Sequence, residues 1–235
     1  MHDPMGSAIL EYLRTGKAAR LRVLSSQFEE DEIPVPHLFR TEDQMPELEK
    51  KALSLVKGKV LDIGAGAGCH SLVLQNKGYE VTSLDNSPLS CEAMKARGLK
   101  DVRCLDILED NIDDRYDTIL MLMNGTGIAG TVAGLATMLQ KVSSLLNEGG
   151  SILIHSSDLQ YLYENEDGSI DINLCGAYYG EIDYRMVYRN IKGKPFDWLY
   201  SDYSLLHSIC EKIGLRCEMT EEGEHYDYLA RISRN

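Results

Sequence analysis

Between residues 59 and 155 the chain alternates short apolar runs with stretches of helical spacing. The runs at 60–63, 80–84, 102–105, 118–123 and 151–155 have strand length. The stretches at 68–76, 88–97 and 131–146 carry helix punctuation: Pro88 opens one and Gly98 follows its end, and Gly149 and Gly150 close another. Runs that are apolar on both faces and joined by helices predict a parallel, doubly wound sheet.

Both ends of the chain read differently. Residues 1–57 read as helical. Ile9, Leu10, Leu13, Leu21 and Leu24 form a partial stripe interrupted by Gly16, and a second helix begins near Pro46 and ends near Gly58. The acidic run 29–32 and Pro34 and Pro36 between them read as a loop. Past residue 157, the segment 178–189 alternates: Tyr178, Ile182, Tyr184, Met186 and Tyr188 fall on one face, with Glu181, Asp183, Arg185 and Arg189 on the other. That is the pattern of a half-buried strand. A helix at 202–213 and two strands at 215–220 and 226–232 predict a closing antiparallel hairpin. The expected architecture is α/β. It has a mostly parallel seven-stranded sheet (58–235) with an antiparallel C-terminal hairpin, a helical N-terminal cap or lid (1–57), and a Tyr-rich inserted β element at 158–199.

Composition narrows the classes of function. The chain has 235 residues, enough for a sizeable core without staples, and carries a net charge of −13. An acidic balance argues against nucleic acid, whose binding draws most of its affinity from phosphate contacts. Arg14, Lys17, Arg20 and Arg22 lie close together, but a solvated helix face accounts for them. The cysteines form no C-x-x-C pair and none lies at metal-ligand spacing from a histidine, so neither a disulfide framework nor a metal site is expected. Residues 1–6 lack the apolar core of a signal peptide, and no apolar run reaches the roughly 20 residues of a membrane helix. The expectation is a cytoplasmic protein with no membrane partner.

The sharpest local signal is Val60-Leu61-Asp62-Ile63-Gly64-Ala65-Gly66-Ala67-Gly68. A strand must turn sharply into a helix there, and glycine permits the backbone angles and lets the chain approach a ligand closely. The dinucleotide spacing G-x-G-x-x-G is absent: from Gly64 the third glycine would fall on Cys69, and from Gly66 on Ser71. Asp85 closes the second strand about twenty residues on, where a carboxylate can accept both hydroxyls of a ribose. Asp106 closes the third, where it can accept from an exocyclic adenine amine. Three acids at three successive strand ends, in register with the glycines, point to a nucleoside crevice. A tight turn and simple helix capping would be the plain alternative.

These residues resemble the class I S-adenosylmethionine-dependent methyltransferases. VLDIGAGAG is similar to their first motif, Leu84-Asp85 to their ribose-binding acid, Asp106-Ile107 to their adenine-contacting pair, and residues 145–150 to the loop before their fifth strand. The resemblance implies S-adenosylmethionine as cofactor. It implies that Gly64, Ala65 and Gly66 would meet the methionine end through backbone and that Asp62 would orient it. Asp85 and Asn86 would hold the ribose, Asp106 and Ile107 would frame the adenine, and Met123 and Asn124 would line the transfer centre. The Asn/Asp-Pro-Pro-Tyr/Phe motif of amino-methylation in DNA is missing at Asn124-Gly125-Thr126-Gly127.

Methyl transfer is an in-line displacement that the protein promotes mainly by alignment, with a base needed only where the acceptor must lose a proton. Asn124 and His155, both at strand ends, are the candidate catalytic residues, with a polar strand end satisfied by backbone as the plain alternative for His155. His70, in the first turn after the glycines, fits either a cofactor contact or helix capping. The tyrosines of the insertion could wall an acceptor or merely pack one strand face. The expected function is methyl transfer to a small-molecule acceptor. The alternatives are a cofactor-binding module without turnover and an aminopropyl-type transferase, for which Asp158, Glu164, Glu166 and Asp167 would have to form a polyamine site.

Overall fold

The computed structural model describes residues 2–165, 167, 169–170 and 176–235. Glu166 of the acidic loop and Cys175 lie outside the described residues.

The chain opens with helix α1 (Pro4–Thr15), whose N-cap Asp3 accepts from the Gly6 N–H. Gly16 adopts a left-handed conformation and ends the helix there. The continuation to Leu24 that the stripe suggested is instead a strand, β1 (Leu21–Leu24), followed by β2 (Asp31–Ile33). The N-terminal part is therefore helical with two added strands. Helix α2 (Glu47–Ser54) starts on Pro46, with Glu47 and Glu49 in its first turn.

Strands and helices then alternate as the pattern predicts: β3 (Val60–Ile63), α3 (Cys69–Asn76), β4 (Val81–Asp85), α4 (Pro88–Ala96), β5 (Asp101–Cys104), β6 (Tyr116–Met121), α5 (Val132–Ser144) and β7 (Leu146–Ser157). Every residue of β3 is buried, as befits a strand covered on both faces. Beyond β7 come β8 (Glu181–Tyr188), β9 (Ile191–Lys192), β10 (Phe196–Leu199), α6 (Tyr203–Lys212), β11 (Leu215–Glu222) and β12 (Asp227–Arg234).

The main sheet has seven strands in the order β11-β12-β7-β6-β3-β4-β5. Pairing is parallel from β7 through β5, and β12 runs antiparallel to both β7 and β11. The chain steps outward from β3 to β5, then returns to place β6 on the other side of β3. That reversal opens a crevice at the carboxyl ends of β3 and β6. The principal core lies on the α5–α6 side of the sheet, around Leu61, Ile119, Leu135, Met138 and Ile152, all essentially inaccessible.

A second sheet has the path β10-β8-β1-β2, with β9 on β8. It joins the N-terminal part to the insertion after β7, for β1 pairs antiparallel with β8 (Leu21 with Tyr188, Val23 with Met186). Its tyrosine face packs onto α1, where Ala8, Leu21 and Tyr188 share a cluster with Val35. Two segments far apart in the sequence thus build one sheet.

Candidate active site

The Gly-rich turn is built as its spacing requires. Gly64, Gly66 and Gly68 all have positive φ, of 71°, 58° and 79°. A Cβ on Gly64 would stand 3.4 Å from Ile128 across the crevice, and one on Gly66 would stand 4.0 Å from Met5 of α1. Helix α1 therefore lies over the turn. Asp3 also accepts from the Ser87 Oγ at 2.6 Å, which ties α1 to the start of α4.

Asp62 is buried and accepts from the Ser71 Oγ at 2.6 Å; Ser71 in turn accepts from Ser83. Burial raises the Asp62 pKa above the usual carboxylate range. Asp85 accepts one backbone N–H on each oxygen, from Gly66 at 2.8 Å and from Ser87 at 2.9 Å. Desolvation pushes its pKa up to about 6, against the pull of those two N–H groups. Among the described residues no cation pairs with it. Each oxygen keeps a lone pair for a further donor. A desolvated carboxylate with open acceptor sites at the mouth of the turn suits the two hydroxyls of a ribose.

Asp106 accepts from the Leu108 N–H at 2.8 Å, and Asn86 reaches it through a long contact of 3.4 Å. Ile107 is buried beside it. Asp85, Asn86, Asp106 and Ile107 therefore gather at one rim. These residues fit a nucleoside cofactor.

His70 stands elsewhere in the polar network. Its Nε2 meets the Glu49 Oε2 at 2.7 Å, and Glu49 also pairs with the buried guanidinium of Arg40. Burial works to raise the Glu49 pKa, but the His70 ring and Arg40 outweigh it and hold the carboxyl below its usual range. Burial likewise works to lower His70, but Cys69, Glu49 and Asp62 hold it above the ordinary histidine value. The ring thus links α2 to α3, a role that its sequence position alone did not distinguish from cofactor contact. The carboxylate that engages it, Glu49, went unnoticed because it reads as an ordinary first-turn acid.

Past the end of β6, Met123 and Asn124 are both left-handed, at φ 56° and 60°. Consecutive non-glycine residues in that region store strain and cluster at functional sites. Asn124 is held from two sides. Its N–H donates to the His155 Nδ1 at 2.9 Å, and its Oδ1 accepts from the Ser157 Oγ at 3.1 Å. The His155 Nε2 stands 3.6 Å from an Asp227 carboxyl oxygen. Burial lowers the His155 pKa, more than Asp227 raises it. The neutral ring that accepts at Nδ1 carries its hydrogen on Nε2, toward Asp227. Among the described residues the Nδ2 group of Asn124 has no hydrogen-bond partner. Met123 packs against a cluster that includes Ile9 and Leu10 of α1.

The second sheet closes over this end. A Cβ on Gly127, in the 3-10 turn Gly125–Ala129 that follows Asn124, would fall 1.9 Å from the Trp198 ring. Only glycine lets Trp198 lie there. Thr126 Oγ1 donates to the Leu199 carbonyl at 3.0 Å, and the Ser201 N–H donates to the Ser156 Oγ at 3.0 Å. Tyr178 and Tyr179 donate to Asp202 and Asp158, at 2.6 Å and 2.7 Å. Asp158 of the acidic loop is therefore held by a phenol. Among the described residues no group of acids, histidines or cysteines could hold a metal, and no helix is long and apolar enough to cross a membrane.

A Gly-rich turn at a topological switch point, with acids on the next two strand ends, defines a nucleoside-dependent α/β enzyme. Comparison with known proteins makes this specific. A methyltransferase from Bacteroides fragilis, solved with S-adenosyl-L-homocysteine, is 52% identical; the alignment covers 99% of this chain and 95% of that one, with a TM-score of 0.93. The family model "Tellurite resistance protein TehB" matches residues 39–157. The chain belongs to the S-adenosylmethionine-dependent methyltransferases, within the TehB family. Its cofactor is S-adenosylmethionine. Two more distant structures share the fold. The CcbJ methyltransferase of Streptomyces caelestis is 12% identical with a TM-score of 0.65, over 98% of both chains. An amino pentose methyltransferase from Micromonospora echinaspora is 14% identical with a TM-score of 0.58, over 88% of this chain and all of that one. Among curated protein sequences no match was found.

Proposed function

We propose that this enzyme transfers the methyl group of S-adenosylmethionine to a small molecule held between the second sheet and the carboxyl edge of the main sheet. The observation that carries the reading is Trp198 seated on Gly127, which brings the aromatic strand β10 directly onto the turn that leaves β6. The cofactor supplies a methyl group already activated by the positive charge on sulfur. The protein's part is to align and to exclude water.

In this reading Gly64–Gly66 and Asp85 hold the amino-acid and ribose ends, and Asp106 and Ile107 frame the base. Asn124 presents its Nδ2 donor at the transfer centre. His155 is a positioning residue: its Nδ1 fixes the Asn124 backbone, and Asp227 sets its tautomer. The lone pair on Nδ1 is taken by the Asn124 N–H, which argues against a role as general base at that nitrogen. Residues 1–57 and 158–199 act as one cap over residues 58–157 and 200–235, with α1 as the side nearest the cofactor. The family description speaks of tellurite. Among the described residues that border the site no unpaired cation stands ready to hold an oxyanion, which favours an organic acceptor.

The test is product formation. Purified protein incubated with S-adenosylmethionine and a fractionated metabolite pool should release S-adenosylhomocysteine. Trp198→Ala should lower that release without weakening S-adenosylhomocysteine binding. Tight binding with no turnover on any pool would leave only a cofactor-binding module.

A further inference from the structure

We infer that the acceptor is an amine, received as a cation by the tyrosine face of the second sheet with Asp31 as its counter-charge. This rests on the methyl-transfer reading above and names the substrate class for that same site.

Strand register fixes what this face carries. Leu21 pairs with Ile33 and Tyr188, and Val23 with Asp31 and Met186. Tyr184 pairs with Phe196, and Ile182 with Trp198. Side chains alternate along a strand, so these residues share one face. Its two ends are covered. Tyr188 and Leu21 pack on α1, and Trp198 lies on Gly127. Between them Tyr184, Met186 and Phe196 are only half-buried. They border the space between α1 and the turn after Asn124.

The charges on this sheet sort by face. Arg22 and Arg185 fall on the opposite face, and Arg22 is paired with Glu30. Arg185 donates to the Gly193 carbonyl. Among the described strand residues, the charged side chain on the tyrosine face is Asp31. Its carboxyl accepts only the neighbouring Glu32 N–H, at 2.7 Å, and among the described residues it has no ion-pair partner.

Asp31 lies close enough to Tyr184 and Tyr200 to act on both phenols. The Tyr184 and Tyr200 hydroxyls meet at 3.2 Å, with their rings nearly perpendicular at 6.4 Å. Burial raises both phenol pKa values, and the nearby Asp31 and Tyr161 add to the effect. Tyr161 stacks on Tyr226 at 5.1 Å, both of them exposed, at the rim beside the end of β7. A phenol pair has two O–H donors and uses one internally, so one stays free.

This surrounding selects for positive charge. Aromatic faces attract a cation through the ring quadrupole, and a carboxylate nearby adds Coulomb attraction. Asp158 and Asp202 accept from the Tyr179 and Tyr178 phenols. Burial lowers the pKa of His155, which disfavours its cationic form. An oxyanion or carboxylate acceptor would meet repulsion with no compensating cation.

The transfer balances simply. The ammonium sheds one proton to water at the rim, and the nitrogen lone pair is freed. That pair forms the new N–C bond as the methyl–sulfur bond breaks and its electrons stay on sulfur. The methylated amine regains positive charge and is stabilised by the same rings.

The experiment is a matched acceptor panel: aliphatic and aryl amines, alcohols, thiols, carboxylates and tellurite. Release of S-adenosylhomocysteine is read for the wild type and for Asp31→Asn. The inference expects turnover on amines, and an amine KM raised about tenfold in Asp31→Asn with S-adenosylhomocysteine affinity unchanged. Asp31 is exposed, so the variant's fold is checked by that affinity. Tyr184→Phe should raise the same KM by a smaller factor. Turnover confined to another class, or an amine KM indifferent to Asp31→Asn, overturns the amine assignment alone. Release with no member of the panel or pool overturns the methyl-transfer reading as well.

Discussion

The backbone N–H of Asn124 donates to the Nδ1 of His155 across 2.9 Å, joining the ends of β6 and β7. The bond holds a residue that would otherwise relax from its left-handed conformation, and Asp227 beyond the ring keeps the tautomer that accepts it.

Replacing His155 by Ala should therefore strand a part-buried N–H at a cost of about 1–3 kcal/mol. Turnover should fall while S-adenosylhomocysteine affinity, set on the far side of the crevice, holds. Steady-state kinetics beside calorimetry would check this. The pH dependence has a definite sign. His155 has a lowered folded pKa, so its contribution is complete above the ordinary histidine value and is lost as the pH falls through the lowered one. Protonation would place a hydrogen on Nδ1 against the Asn124 N–H. The wild type should lose activity on the acid side of neutrality, and His155→Ala should lose that limb of its profile. Glu49, His70 and Asp227 are the other charged groups acting on this ring, so Asp227→Asn should shift the limb further toward acid.

How much of this was legible in the sequence follows from distance along the chain. The Gly64–Gly68 turn and Asp85 are local events, in which residue type dictates backbone and strand end dictates position. The alternation of the main sheet was readable for the same reason. Strand β1 was not, because Leu21 and Leu24 fit a helical stripe equally well and its partner β8 lies more than half the chain away. Asp227 was hidden likewise: nothing near it in sequence signals that β12 places it beside His155. The positive φ of Met123 had no composition cue, and Asn124, though Asn tolerates the left-handed region, does not by itself require it.

The Arg40–Glu49–His70 triad should dominate local stability. Glu49→Gln would leave two buried cations without their shared carboxylate, a loss of about 3–5 kcal/mol. Glu49 has a lowered pKa, so its contribution is present above the ordinary glutamate value and is lost as the pH falls through the folded one. His70 has a raised pKa, so its contribution is present below the ordinary histidine value and is lost as the pH rises through the folded one. Thermal melts of Glu49→Gln against pH should lack the wild type's steep acid limb.

Asp85 should make cofactor binding pH-dependent. With its pKa at about 6 in the free protein, S-adenosylhomocysteine affinity should fall as the pH drops through 6. Asp85→Asn exchanges one acceptor oxygen for a donor facing backbone N–H groups. Affinity should drop at least about tenfold, with its pH dependence gone. Calorimetric titration across pH 5–8 would show both.

Gly127 has room for nothing beyond hydrogen beneath Trp198. Gly127→Ala should push β10 outward at a cost of about 1–3 kcal/mol. Acceptor KM should rise more than cofactor affinity falls, because the displaced strand belongs to the cap. Melting temperature and the two constants together would check it.

In the proposed geometry the cofactor's sulfur should face Asn124, and the space beyond it should open toward the tyrosine face. A crystal structure with S-adenosylhomocysteine measures this directly. The ribose hydroxyls should lie on Asp85 and the sulfur on the Asn124 side, with Tyr184 and Tyr200 bordering the volume in line with it. A sulfur directed away from Asn124, or that volume already filled by the cap's own side chains, would contradict it.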